Sequence, residues 1–132
     1  MKLIKEQKAE YVIKCANDVY RYLKEFKNED REYFIVLGLN TKNKVLYREI
    51  VHIGTLNGSI IHPRETFKKA IIMSCNSIII AHNHPSGDTA PSEEDIKITK
   101  TMKKAGELLQ IKVLDHIIIG DEYYSFQESE SI

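Results

Sequence analysis

An α/β sandwich on one mixed sheet is the fold class this sequence predicts, and three features predict it. SIIIAHNH (77–84) and IKVLDHIIIG (111–120) are apolar on both faces, the pattern of central strands covered from two sides. EYFIVLGLN (32–40) and VLYREIVHIG (45–54), joined by the polar TKNK, read as a hairpin. Before and between these strands apolar residues recur every three or four positions, as on helices that cover a sheet. The resulting order is helix, hairpin, helix, strand, helix, strand, strand, which departs from a regular doubly wound fold.

Each element carries its own signal. Val12, Cys15, Val19, Leu23 and Phe26 form one stripe of a first helix within residues 3–27. Gly54 to Gly58 interrupt the chain after the hairpin, and SIIH (59–62) is expected as a short strand. Pro63 suits the first turn of a helix running to about Ser74, because the N–H it lacks would be unpaired there anyway. The helix of about 92–109 should turn Ile98, Met102, Ala105 and Leu109 inward, and EYYSF after the Gly120-Asp121 turn should form a last short strand. No repeat or linker divides the chain, so one domain is expected over 1–132, with the N-terminal helix in 1–28.

Composition narrows the function classes. Hydrophobic residues make up 42% and charged residues 29%, the balance of a soluble globular domain. Nineteen basic and nineteen acidic side chains cancel, so the overall charge asks for neither nucleic acid nor anionic lipid. The N-terminus MKLIKEQKAEYVIK lacks the apolar core of a leader, and no run approaches the ~18 residues of a membrane span. Cys15 and Cys75 stand in no metal or redox spacing and are read as reduced core thiols, as in a cytoplasmic protein.

The chemistry concentrates in AHNHPSGDTAPSEED, residues 81–95. Alternate strand residues lie on one face at roughly 6.5–7 Å between Cα atoms, so His82 and His84 can converge on a single ion. Projecting the inner stripe of the next helix back one turn from Ile98 reaches Asp95, a carboxylate where the pattern predicts an apolar residue. Two imidazoles and a carboxylate are ligands that zinc accepts, with a fourth position left for water. The same residues also allow a plainer reading. Ser92-Glu93-Glu94-Asp95 is a capping-box tetrapeptide, and Pro85 to Asp88 would serve any sharp turn. The residues by themselves leave a metal site and a capped turn evenly matched.

The spacing His82-x-His84, seven residues, Ser92, two residues, Asp95 resembles the HxHx7SxxD motif of the JAMM (MPN+) zinc metalloproteases. Longer blocks, GTLNGSIIHPRETFKKA, IIIAHNHPSGDTAPSEEDIKITK and LLQIKVLDHIIIGDEYYSF, are similar to the RadC-like branch of that superfamily, over about residues 30–127. The resemblance implies a JAMM/MPN-like, cytidine-deaminase-like fold and one zinc ion per chain on His82, His84 and Asp95. It implies a hydrolase that cleaves an amide bond in a protein or peptide substrate. Ser92 would donate a hydrogen bond to the oxyanion, while also capping the helix only if its hydroxyl swings between the two tasks. A glutamate upstream would be general base, with Glu32 preferred because it precedes an apolar strand on the face of Phe34 and Val36. Glu49 and Glu65 are the alternatives.

Asp115 and His116 in DHIIIG are the other dyad of note, expected to support the site by hydrogen bonding, with Asp115 on the face of Val113 and Ile117. His52, His62 and Arg64 are read as structural, and Lys97, Lys100 and Lys104 as a solvated helix face. Two rival functions come with the resemblance: a DNA-repair accessory protein of the RadC type, and a metal-free MPN binding module. The neutral charge and the lack of basic residues interleaved with aromatics count against the first, and the complete motif against the second.

Overall fold

A computed structural model describes residues 11–132. Its sheet has five strands: β1 (Tyr33–Leu39), β2 (Val45–Ile53), β3 (Ser77–Asn83), β4 (Lys112–Ile119) and β5 (Tyr123–Ser125), in the spatial order β2-β1-β3-β4-β5. β1 runs antiparallel to both β2 and β3, β3 is parallel to β4, and β5 returns antiparallel to β4. The helices are α1 (Ala16–Tyr22), α2 (Pro63–Thr66), α3 (Lys68–Ile72) and α4 (Glu93–Leu109). The mixed α/β sandwich expected from the sequence is therefore the observed architecture, with α4 as the crossover that the parallel β3–β4 pair requires.

β3 is buried along its whole length because both faces of the sheet are covered. On one face Phe34, Val36, Ile78 and Ile80 meet Ile98 and Met102 of α4, together with Phe67, Leu56 and Ile61. On the other, Ile35, Leu37, Ile79, Ala81, Ile117 and Ile119 meet Val19, Leu23 and Phe26. A full side chain of this kind removed from water contributes about 1.5–3 kcal/mol. No helix among the described residues is long and apolar enough to cross a membrane.

Several local expectations are corrected. Residues 3–10 of the expected first helix lie outside the described residues. Further on, Val12 bridges Lys44 in extended conformation and α1 begins only at Ala16. The β-branched pair Val12-Ile13 pairs with the hairpin turn, through Ile13 N–H to the Asn43 carbonyl at 2.9 Å, in place of a helical turn. Cys15 is consequently exposed at the helix start, whereas Cys75 is buried as expected. SIIH is a turn: the Asn57 side chain accepts from the Ser59 amide at 2.9 Å and competes with strand pairing. The helix after Pro63 is split into α2 and α3 at fully buried Phe67, and Leu109 points outward, 44% exposed.

A β-bulge alters the faces of β4. Ile78 pairs with Val113 but Ile79 pairs with Asp115, leaving Leu114 as the extra residue. Val113 therefore shares its face with His116, and Asp115 shares the opposite face with Ile117, not with both neighbours as the simple alternation required. Asp115 is spent on the chain end. It accepts from Ser125 Oγ at 2.6 Å, the Gln127 amide at 2.9 Å and the His116 amide at 2.7 Å.

The loop after β3 is pinned from below by the β4–β5 turn. His84 N–H donates to the Ile119 carbonyl at 2.9 Å and Asp121 N–H to the Gly87 carbonyl at 3.0 Å. Gly120 permits this approach, since a Cβ there would fall on the Gly87 carbonyl oxygen and on the Thr89 side chain at 2.7 Å. Gly120→Ala is expected to destabilise the fold by about 1–3 kcal/mol, as overpacking does, measured as a lower urea midpoint at unchanged m-value.

Candidate metal centre

The strand end and the helix start meet as their sequences suggested. His82 is the penultimate residue of β3, on the face of Ile78 and Ile80, and His84 is the first residue of the loop. Pro85 to Pro91 return the chain so that Ser92 caps α4 and Asp95 occupies the third helical position. His82 Nε2 lies 3.0 Å from Asp95 Oδ1, His84 Nε2 lies 3.0 Å from Asp95 Oδ2, and the two Nε2 atoms are 3.0 Å apart. Among the described residues these three side chains form the one histidine, cysteine or acid group able to hold a metal ion.

The donor set fits zinc. Bonds of about 2.0–2.1 Å to nitrogen and oxygen in a tetrahedron put neighbouring ligand atoms about 3.3 Å apart, close to what is found. His84 Nδ1 contacts the Asp88 carbonyl at 2.8 Å. A carbonyl only accepts, so Nδ1 carries the hydrogen and, in the neutral ring, Nε2 presents its lone pair to the centre.

Asp95 holds both of the roles that the sequence left in competition. Its Oδ2 accepts from the Ser92 amide at 2.8 Å and Ser92 Oγ accepts from the Asp95 amide at 3.0 Å, a complete capping box. The same carboxylate still faces both imidazoles. Ser92 caps with an oxygen lone pair, so its hydroxyl hydrogen stays available without any swing of the side chain.

Electrostatics binds these groups to one another. Burial would raise the Asp95 carboxyl, but hydrogen bonds from His82 and His84 override it and hold the group far below the ordinary carboxylate range. For His84, burial acts to lower the pKa, yet the hydrogen bonds to Asp95 and Asp88 and the charges of Asp95 and Glu32 raise it overall.

Of the three candidate glutamates, Glu32 is the one the fold brings to this end of the sheet. Phe34 pairs with His82, Glu32 immediately precedes β1, and its charge is felt at His84. Its carboxylate accepts from the Leu56 amide at 3.3 Å, and its carbonyl from the Gly54 amide at 2.8 Å. Glu49 faces the α4 side from β2, beyond β1, with one carboxylate oxygen buried and unpartnered. Glu65 is exposed in α2.

Asp115 and His116 divide. His116 is fully buried beside the centre, with Nε2 2.9 Å from His82 Nδ1, whereas Asp115 touches it only through the His116 amide. Burial and the His82 ring lower the His116 pKa well below the ordinary value. His52 and His62 stay outside the metal group, and Lys97, Lys100 and Lys104 are exposed, as expected.

Sequence reasoning missed two polar residues. Asn83 is buried and spans the residues on either side of Glu32, accepting from the Tyr33 amide at 2.7 Å and donating to the Arg31 carbonyl at 2.9 Å. Thr99, one turn after Asp95, is buried against His116. A polar residue four positions from Asp95 on the inner stripe was the available signal for Thr99. Nothing local marked Asn83.

A protein-family comparison matches residues 13–131 to the RadC-like JAB domain, a span that takes in α1 as well as the sheet. Among curated proteins, the chain is similar to a UPF0758 protein of Desulforamulus reducens, 52% identical over 122 residues that make up 92% of this chain and 54% of the relative. A UPF0758 protein of Geobacillus kaustophilus is 50% identical over 115 residues (86% and 51%), and one of Chlorobaculum parvum 51% over 118 (88% and 53%). The chain spans about half the length of the curated relatives it matches.

Zinc titration of the purified protein should give one equivalent bound, with His84→Ala and Asp95→Ala each losing stoichiometric binding. Affinity should fall as pH drops through the raised His84 value, because the bound form needs the neutral ring and releases its proton. Calorimetry in buffers of different ionisation enthalpy reads that proton directly.

Proposed function

The chain belongs to the RadC-like JAB domain family, and from that premise we propose that it is a zinc-dependent hydrolase of amide bonds in proteins or peptides. The observation that carries the reading is the convergence of His82 Nε2, His84 Nε2 and the Asp95 carboxylate, each 3.0 Å from its neighbours, at one end of a rigid central strand. Zinc held by these three residues would lower the pKa of a water towards ~7 and polarise a carbonyl oxygen.

The remaining chemistry belongs to side chains of this protein. Glu32, whose charge is felt at His84 and whose carboxylate is anchored by the Leu56 amide, accepts a proton from the attacking water. As the amide C–N bond breaks, the same carboxyl returns that proton to the leaving nitrogen, so the residue ends as it began. Ser92 keeps its hydroxyl hydrogen free while it caps α4, and donates it to the oxygen on which charge develops. Asn83 holds the backbone on both sides of Glu32, fixing the base against the end of β3.

Glu32→Gln should retain stoichiometric zinc and lose about 10²–10⁴-fold in turnover. The check is a panel of internally quenched peptides and lysine-linked isopeptides, run beside a zinc-binding assay. Full turnover in this variant would transfer the base to Glu49 or Glu65. A zinc-loaded wild type that cleaves none of the panel would favour the binding-module alternative.

A further inference from the structure

We propose that Thr99 and His116 are positioning residues that fix the tautomer of His82, so that its Nε2 presents a lone pair to the cation site. The proposal rests on the metal reading above and concerns groups that touch no substrate.

The argument follows one chain of hydrogen bonds through the core. Thr99 Oγ1 lies 2.8 Å from the Asp95 carbonyl oxygen, which can only accept, so the single hydroxyl hydrogen of Thr99 is committed there. Thr99 Oγ1 is also in short contact with His116 Nδ1. With its hydrogen already spent, the hydroxyl must accept, and His116 Nδ1 must be the donor. A fully buried imidazole with no carboxylate among its hydrogen bonds is neutral, so the other nitrogen, Nε2, carries only a lone pair. That lone pair lies 2.9 Å from His82 Nδ1, which therefore donates. In the neutral His82 ring that a metal ion requires, Nε2 is then left without a hydrogen, 3.0 Å from Asp95 Oδ1 and from His84 Nε2.

Three acceptor atoms facing one another at that distance repel unless a cation lies among them. The two histidines reach the same state by different means. His84 is set by a backbone carbonyl in the exposed loop, His82 by a buried side-chain relay that starts on α4, the helix that also supplies Asp95. One helix thus delivers a ligand and, four residues on, the group that prepares another ligand.

The test uses histidine-labelled protein, with the ring-nitrogen tautomers read by long-range ¹⁵N–¹H spectra and zinc affinity by competition with a chromophoric chelator. Zinc-loaded wild type should show Nδ1–H on both His82 and His116. Thr99→Val keeps the side-chain shape without the hydroxyl. It should weaken zinc binding by about 10–100-fold and shift His116 towards the Nε2–H form. Thr99→Ser should restore both readouts. An Nε2–H on His116 in the loaded wild type overturns the relay, whatever the variants do. So does a Thr99→Val protein with wild-type affinity and wild-type tautomers. A wild type that binds no zinc removes the metal reading itself, and the relay with it, a result distinct from the other two.

Discussion

The Asp95 carboxylate takes a hydrogen bond from the Ser92 amide at 2.8 Å while standing 3.0 Å from both His82 Nε2 and His84 Nε2. Much of the local structure can be understood as keeping that buried charge in place. A carboxylate removed from water is costly unless it is paired and hydrogen-bonded. Here the first turn of α4 contributes its exposed amides and the positive end of the helix, and the strand end contributes two rings. The loop between them has to return the chain sharply. Its turn chemistry, from the Asp88 carboxylate accepting the Ala90 amide to the Gly87 approach to Gly120, serves that return. The side chains that would hold a metal ion are the ones that join the strand end to the helix start, so folding and metal loading draw on the same groups.

The second constraint is register. β3 is fixed between β1 and β4, and each neighbour brings one polar side chain towards its end. β1 brings Glu32 because Phe34 pairs with His82, and Asn83 extends that grip beyond the last strand pair. β4 brings His116 because the extra residue at Leu114 restores Val113 and His116 to one face. Without the bulge, filling the α4-side core with Val113 would turn His116 to the opposite face and break its contact with His82. Asp115, on the far face, then serves stability and not the centre. It ties β4 to Ser125 and Gln127 and anchors the His116 amide.

These two constraints explain which features were legible in the sequence. The central strands, the hairpin and α4 were readable because each states its period within a few residues, and the helix cap is written in Ser92 and Asp95. His82, His84 and Asp95 were readable for the same reason: the loop joins them within fourteen residues, so spacing nearly equals geometry. The Thr99–His116–His82 relay was not. It needs a bulge in β4 and the seating of α4 on the sheet, which no local pattern encodes. The first helix was overread because Val12 and Cys15 continue a three-four spacing that the tertiary structure does not use. Val12 pairs instead with Lys44, and its side chain is set outside the core.

Exposure around the centre is uneven, and that unevenness bears on how a substrate would reach it. The His82 side chain is fully buried and that of Asp95 is 4% exposed, whereas His84 shows 17%. The protein side of the centre is closed by His116, Thr99 and the sheet, leaving approach from the loop side. Ser92 is exposed there, and Glu32 is half-buried with its charge felt at His84. On the proposed reading, the residue that takes a proton and the one that donates a hydrogen bond both stand on this flank. The buried flank would hold geometry and tautomers constant while the open flank carries the chemistry. On that same proposal, a centre closed on its buried side and open on the loop side would keep the bond to be cut outside the protein core.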